Sequence, residues 1–284
     1  MAVPTVPAPL MVLTAITSIQ IGSALAAGLF ETIGAPATVA WRLLLAAAFL
    51  LIATRPRLPK LDARAVAAIG AFGVVIATMN TLFYLAIERV PLGVVVTIEF
   101  LGPLGVAAWK STRWLDRAWV ALALSGVALL APVGEIDLDL LGLSYAALAG
   151  AGWAGFVLLS APVARRFRGN SGIALGMTLG ALLTLPFGLP QTGAVFADLS
   201  IIGTLAAVAL LSTAVPFSLE FQALKRLSAT VYGTLIALEP AAAAAAGALI
   251  LGESLGIRSL LALVLVSAAA LGQALTAERE PPAP

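Results

Sequence analysis

The sequence predicts an all-α membrane protein with ten transmembrane helices in two inverted five-helix repeats. Three observations predict it. Apolar residues make up 61% of the 284-residue chain and charged residues only 11%, where a soluble domain carries roughly half and a quarter. Apolar runs of about 20 residues, the length that crosses a bilayer, follow one another with short polar joints. The second half of the chain repeats the first at an offset of 137 residues.

Charge this sparse cannot cover a soluble surface, so lipid is the expected solvent for most of the chain. The expected spans are 10–30, 35–54, 65–86, 91–109, 115–132, 139–160, 171–189, 200–222, 228–251 and 257–276. Backbone in hydrocarbon must satisfy its own hydrogen bonds, and runs of this length do so only as helices. Ala24-Leu25-Ala26 resembles a signal-peptidase site, but Met1 to Leu10 carries no basic residue, so the first helix is expected to be retained.

Basic residues set the orientation. With the N-terminus inside, thirteen of the sixteen Lys and Arg fall in cytoplasmic loops or the tail, Arg89 and Arg258 fall outside, and Arg42 lies within a span. The loop after the fifth span agrees, with Glu135, Asp137 and Asp139 and no basic residue. Both termini are therefore expected in the cytoplasm.

The offset of 137 aligns Arg89 with Arg226, Val94 with Val231, Thr97 with Thr234, Leu101 with Leu238 and Pro103 with Pro240. It pairs span three with eight and four with nine, so each repeat holds five spans, roughly 1–134 and 135–284. An odd number reverses direction across the membrane and makes the repeats inverted. Inverted repeats around a mid-membrane site are a recurring plan of secondary transporters. Duplication of a helical bundle without transport is the plainer alternative.

Several function classes drop out. There is no cysteine and no histidine, which removes disulfides, thiol nucleophiles, Cys/His metal sites and histidine proton shuttles. The net charge of +2 is spread through loops rather than gathered in a patch, so no nucleic-acid partner is expected. Gly172, Gly176 and Gly180 in span seven, and the run Ala241 to Ala246, read as small-residue surfaces for close helix packing. No Lys-Ser/Thr follows the glycines, so they are not a phosphate loop. No cofactor or metal is expected.

Charges inside the spans carry the functional expectation. Arg42 sits about eight residues into its span, beside Trp41. A charge at mid-membrane costs roughly 2.5–3.5 kcal/mol on insertion scales and needs a partner or a wet cavity. Snorkelling to the interface, with Trp41 as the interfacial aromatic, is the plainer reading. Glu99 lies near the middle of span four and Glu239 near the middle of span nine. Under the offset, Glu239 corresponds to position 102, three residues from Glu99, which puts both carboxylates on one face of equivalent helices. Pro103 and Pro240 follow them and are candidate hinges, since proline frees a backbone carbonyl where helices line a cavity. A carboxylate bonded within the bundle is the structural alternative for both. Glu220 lies near Lys225 and Arg226 and reads as an interfacial ion pair, with a coupling role as the other possibility. With one buried cation against two or three carboxylates, at least one carboxylate is expected to carry a proton part of the time, as proton coupling requires. Gln20, Trp41, Asn80, Tyr84, Thr97, Trp153 and Tyr232 are the further candidates for a substrate-binding cavity, and Ser18 is another core-facing polar residue. Each could equally bond helix to helix.

Two segments carry a family pattern. One runs from Phe83-Tyr84-Leu85-Ala86-Ile87 through Pro91-Leu92-Gly93 to Glu99-Phe100-Leu101-Gly102-Pro103. The other runs from Val215-Pro216-Phe217-Ser218-Leu219-Glu220 through Gly233-Thr234 to Glu239-Pro240 and Leu251-Gly252-Glu253. With Trp41-Arg42-Leu43, they resemble the EamA-type drug/metabolite transporters, threonine/homoserine exporter-like branch. The resemblance covers nearly the whole chain. It implies ten helices, inverted five-helix repeats and export of amino acids or related metabolites across a bacterial inner membrane. The family motifs fall on Arg42, Glu99, Glu220, Glu239 and Glu253 without assigning roles. Glu253, just past span nine, reads as an external structural carboxylate.

The expectation is a secondary exporter working by alternating access. A zwitterion's carboxylate would pair with Arg42 and its ammonium with Glu99 or Glu239. Broader drug efflux with an apolar substrate is the first rival. An intramembrane enzyme is the second, and it lacks most of the usual nucleophiles, bases and metal ligands.

Overall fold

A computed structural model describes residues 7–56, 62–110, 113–129, 139–167, 170–224, 235, 236 and 238–276, and among these every regular element is helical. In chain order they are α1 (Ala8–Ala27), α2 (Phe30–Thr54), α3 (Ala63–Ile87), α4 (Leu92–Glu99), α5 (Leu101–Lys110), α6 (Trp114–Ala128), α7 (Leu140–Arg166) and α8 (Ser171–Gly188). There follow α9 (Thr192–Ala197), α10 (Leu199–Ala209), a π-helical turn at Leu210–Ala214, α11 (Val215–Leu224), α12 (Glu239–Ala246), a second π-helical turn at Gly247–Leu251 and α13 (Ile257–Thr276). Among the described residues six stretches are long and apolar enough to cross a membrane, and shorter apolar helices accompany them.

The polarity is inverted relative to a soluble bundle. Leu13, Ile52, Val74, Leu148 and Leu182 are exposed, while Gln20, Arg42, Asn80, Glu99 and Glu239 are buried. Apolar side chains face the lipid, and polar ones gather inside the bundle. Helix α2 packs on α8, α3 on α7, α4 on α12, α6 on α13, and α1 on α11 and the preceding π-helical turn.

Small residues set the close approaches. A Cβ on Gly176 would come within 2.5 Å of Phe72, and one on Gly180 within 2.9 Å of Ile76, so the glycine ladder seats α8 against α3. Ala244 of the alanine run lies against Gly93 of α4. Helix α2 bends at Gly34, whose φ of 75° only glycine holds without strain.

Span four is expected as one helix over 91–109, but it breaks at Phe100. Pro103 has no N–H to give the carbonyl of Glu99, four residues earlier, so the ladder fails there. Helix α7 fills the break: a Cβ on Gly150 would sit 2.8 Å from the Glu99 carbonyl oxygen, and Gly102 presses against the Gly150 carbonyl. On the other side α12 starts at Glu239, with Pro240 in its first turn. The expected span over 228–251 is thus seen here as α12 and its π-helical turn, and residues 225–234, with Tyr232 among them, lie outside the described residues.

Two contacts tie the ends of these elements. Both Glu253 carboxylate oxygens accept from the Leu92 N–H, at 3.1 and 3.2 Å. Glu253 therefore caps α4 from across the chain, in keeping with a structural carboxylate. Burial pushes its carboxyl up, against the opposing pull of that hydrogen bond. Arg89 bonds Asp139 at 2.7 Å, and Arg166 lies 4.0 Å from Asp62, the N-cap of α3.

Asp139 also caps α7 through the Leu141 and Gly142 N–H groups. The hydrogen bond from Arg89, aided by these backbone donors, holds its carboxyl below the usual aspartate range. The folded state therefore releases this proton more readily than the unfolded state. The resulting stabilisation is present above the unfolded value and is lost as pH falls through the folded one. Asp139→Asn is expected to lower the thermal midpoint in detergent at neutral pH and to flatten its decline below about pH 4. An unaltered acid limb would remove Asp139 from that account. Gly150→Ala is expected to destabilise by about 1–3 kcal/mol through overpacking against Glu99. Gly105→Ala, with nothing within 4 Å of the added carbon, is the matched control in chemical unfolding.

Candidate functional site

Arg42 lies two turns beyond the bend in α2 and is 3% exposed. Its partners are all neutral. One terminal nitrogen donates to Ser212 Oγ at 3.0 Å and Thr213 Oγ1 at 2.9 Å, and the other donates to Asn80 Oδ1. Each partner is itself oriented. Asn80 Nδ2 donates to the Ile76 carbonyl at 2.7 Å, which turns its oxygen toward the guanidinium. Ser212 donates to the Val208 carbonyl at 2.7 Å, which frees its lone pairs to accept. The guanidinium carbon lies 4.6 Å from the centre of the Tyr84 ring, a cation–π contact. Among the described residues Arg42 Nε has no hydrogen-bond partner, and no carboxylate lies within ion-pair distance of Arg42.

The π-helical turn presents Ser212 and Thr213 side by side. Ser18 of α1 donates to the Leu211 carbonyl at 2.5 Å, and Gly22 lets α1 approach Ser212 closely. π-Helical turns insert one extra residue and recur at functional sites.

Three carboxylates gather apart from this cation. Glu239 lies within electrostatic reach of Glu220 and Glu99. Gln20 Nε2 donates to Glu239 Oε1 at 3.4 Å, while Glu239 Oε2 and Gln20 Oε1 are buried with no hydrogen-bond partner among the described residues. Glu99 and Glu220 have no hydrogen bond or ion pair among the described residues.

Both groups face one cavity of about 100 Å³, bounded by Arg42, Asn80 and Ser212, by Gln20, Glu99, Glu220 and Glu239, and by Phe83, Trp153, Phe156 and Phe217. The expected candidates divide accordingly. Arg42, Asn80, Gln20, Glu99, Glu239 and Trp153 line it. Tyr84 stands behind Arg42, and Thr97 is buried with its hydroxyl turned to the Gly93 carbonyl at 2.6 Å. Trp41 points elsewhere, edge-on to Phe196 at 5.4 Å. Glu220, expected beside Lys225 and Arg226, lies in the cavity wall, and those two basic residues are outside the described set. Ser212, Thr213 and the phenylalanines escape sequence reasoning. The one available signal is an adjacent hydroxyl pair in the apolar span 200–222.

Residues 140–273 match the EamA-like transporter family. Threonine/homoserine exporter RhtA of Salmonella typhimurium strain LT2 is 40% identical over 283 residues, covering 96% of this chain and 92% of the relative. The protein of the same name from Escherichia coli strain K12 is 41% identical over 281 residues, covering 95% and 92%. The chain belongs to the EamA-like transporter family. Within that family it falls in the RhtA-like branch. It is an integral membrane transporter, not an enzyme. A crystal structure of another protein superposes with a TM-score of 0.61 at 21% identity, covering 92% of this chain and 95% of that one, a likeness of fold.

In this transporter, the neutral cage of Arg42 makes a stability prediction. Asn80→Leu removes a hydrogen bond to a buried charge and is expected to destabilise by about 1.5–3 kcal/mol in chemical unfolding. Adding Arg42→Met should recover much of that loss, because no stranded cation remains. A double variant less stable than Asn80→Leu alone would contradict this.

Proposed function

We propose that the protein exports a small neutral amino acid of the threonine or homoserine kind across a bacterial cytoplasmic membrane. The carrying observation is the cavity itself: among the described residues it holds a buried guanidinium with no carboxylate within ion-pair distance and, apart from it, carboxylates with no cation within that distance. A zwitterion complements both: its carboxylate meets Arg42 and its ammonium meets the acidic group. The relatives' names, threonine/homoserine exporters at about 40% identity over nearly the full chain, point to the same substrates. Size argues against broad drug efflux, since about 100 Å³ is small beside the roughly 300–1,000 Å³ of drug-sized sites.

The proposed architecture is ten spans in two inverted repeats that alternate access by exchanging conformations. The helix pairings support it. Exchange of the halves converts the contact of α3 with α7 into that of the α10–α11 span with α1. It carries the α2–α8, α4–α12 and α6–α13 pairs onto themselves. Pro103 and Pro240, at equivalent breaks beside Glu99 and Glu239, are the proposed hinges. The basic loops favour cytoplasmic termini. The bond between Arg89 and Asp139, both expected outside, and the approach of Arg166 to Asp62, both expected inside, are consistent with that alternation. No ATP-binding motif is found in the sequence, so a gradient drives export, and the carboxylate cluster suits proton coupling.

Counterflow in liposomes tests this. Purified protein should accumulate labelled threonine or homoserine, and Glu99→Gln should reduce the rate about tenfold or more, the loss of at least 1.4 kcal/mol. Arg42→Lys should impair it as well, since an ammonium lacks the planar fork that grips a carboxylate. Collapsing the pH gradient separates antiport from facilitation. Correctly inserted protein that moves lipophilic cations and no amino acid would overturn the proposal in favour of drug efflux.

A further inference from the structure

Resting on that export reading, we infer that Gln20 and Glu239 together form the ammonium subsite, and that Gln20 determines the preference for α-amino acids. Among the described residues, three polar groups on the cavity lining are buried with no hydrogen-bond partner: one donor, Arg42 Nε, and two acceptors, Gln20 Oε1 and Glu239 Oε2. The two acceptors belong to side chains already joined, since Gln20 Nε2 donates to Glu239 Oε1 at 3.4 Å. Gln20 is 2% exposed and Glu239 6%, so both side chains are buried away from the protein surface.

An amino acid brings the complement of these three orphans. Its carboxylate accepts from the donor, and its ammonium offers three N–H groups and no acceptor. Two of those N–H groups meet Gln20 Oε1 and Glu239 Oε2. A 2-hydroxy acid with the same carbon skeleton offers a single donor there and no positive charge. Selection by unmatched buried acceptors is strong, because the analogue leaves at least one of them bare.

Position separates Glu239 from the other carboxylates. It occupies the first turn of α12, at the positive end of that helix, where a negative charge is favoured. Glu99 ends α4, and a helix C-terminus offers a negative charge no such support. Gln20 comes from α1 and Glu239 from α12, so a bound ammonium joins the two halves of the chain.

The test is competition binding to purified protein, with labelled threonine displaced by unlabelled threonine or by its 2-hydroxy analogue. Wild type should prefer the amino acid strongly. Gln20→Met and Glu239→Gln should each weaken amino-acid binding about tenfold or more and leave affinity for the hydroxy acid within a factor of about three, narrowing the preference. Glu99→Gln should keep the wild-type preference. If Glu239→Gln does not fold, Gln20→Met and Gln20→Asn decide the matter alone. The inference is overturned if the Gln20 variants retain full discrimination, or if discrimination is lost with Glu99→Gln instead. Wild-type protein that binds and transports no amino acid overturns the export reading itself, a different outcome.

Discussion

A guanidinium at the centre of an apolar bundle must be solvated by the protein, because neither lipid nor bulk water can do it. Arg42 is solvated by two hydroxyls, an amide oxygen and an aromatic face, none of which neutralises its charge. That requirement organises much around it. Asn80 must be turned by the Ile76 carbonyl and Ser212 by the Val208 carbonyl. The π-helical turn must put two neighbouring hydroxyls on one side, and α1 must come close enough, at Gly22, to seat that turn. The bend at Gly34 precedes the whole arrangement by two helical turns.

The carboxylates are held by a different device. Glu99 ends one helix and Glu239 begins another, each beside a proline that interrupts the backbone ladder. A break inside hydrocarbon is tolerated only where protein covers the freed backbone groups. Gly150 brings α7 against the carbonyl of Glu99, and Glu253 supplies the acceptor for the start of α4. The broken helices thus keep rigid neighbours although their own hydrogen bonding is interrupted beside the cavity.

Much of this was legible in the residues and some was not. Arg42, Glu99 and Glu239 stand out because charge in an apolar span is costly wherever it points, so chemistry alone selects them. The glycine ladder was readable for a similar reason: spacing in a helix fixes a face, and α8 uses that face against α3. Ser212 and Thr213 carried no such signal, since a hydroxyl in a span commonly bonds the preceding turn. What makes them ligands is an extra residue in the turn, a backbone feature with no marker in composition. Trp41 misled for the opposite reason. Adjacency to Arg42 in sequence rotates a side chain by about 100° around the helix, and Trp41 ends against Phe196 instead of the cavity. Sequence adjacency points Glu220 toward Lys225 and Arg226, which lie outside the described residues, while three-dimensional position adds the cavity wall, which no local pattern marks.

The separation of cation from carboxylates has a consequence for transport. Had Arg42 bonded Glu99 directly, the empty protein would already be neutralised, and a substrate would have to break that pair before gaining anything. With neutral ligands around the guanidinium, a substrate carboxylate adds charge neutralisation without displacing an anion. On the proposed reading, the same holds at the other station, where Glu239 has one oxygen without a donor. A solute carrying a single charge would relieve one station and leave the other uncompensated. On that reading a preference for zwitterions follows from the separation of the two charged stations, with the aromatic walls of Phe83, Phe156 and Phe217 limiting the size of the solute.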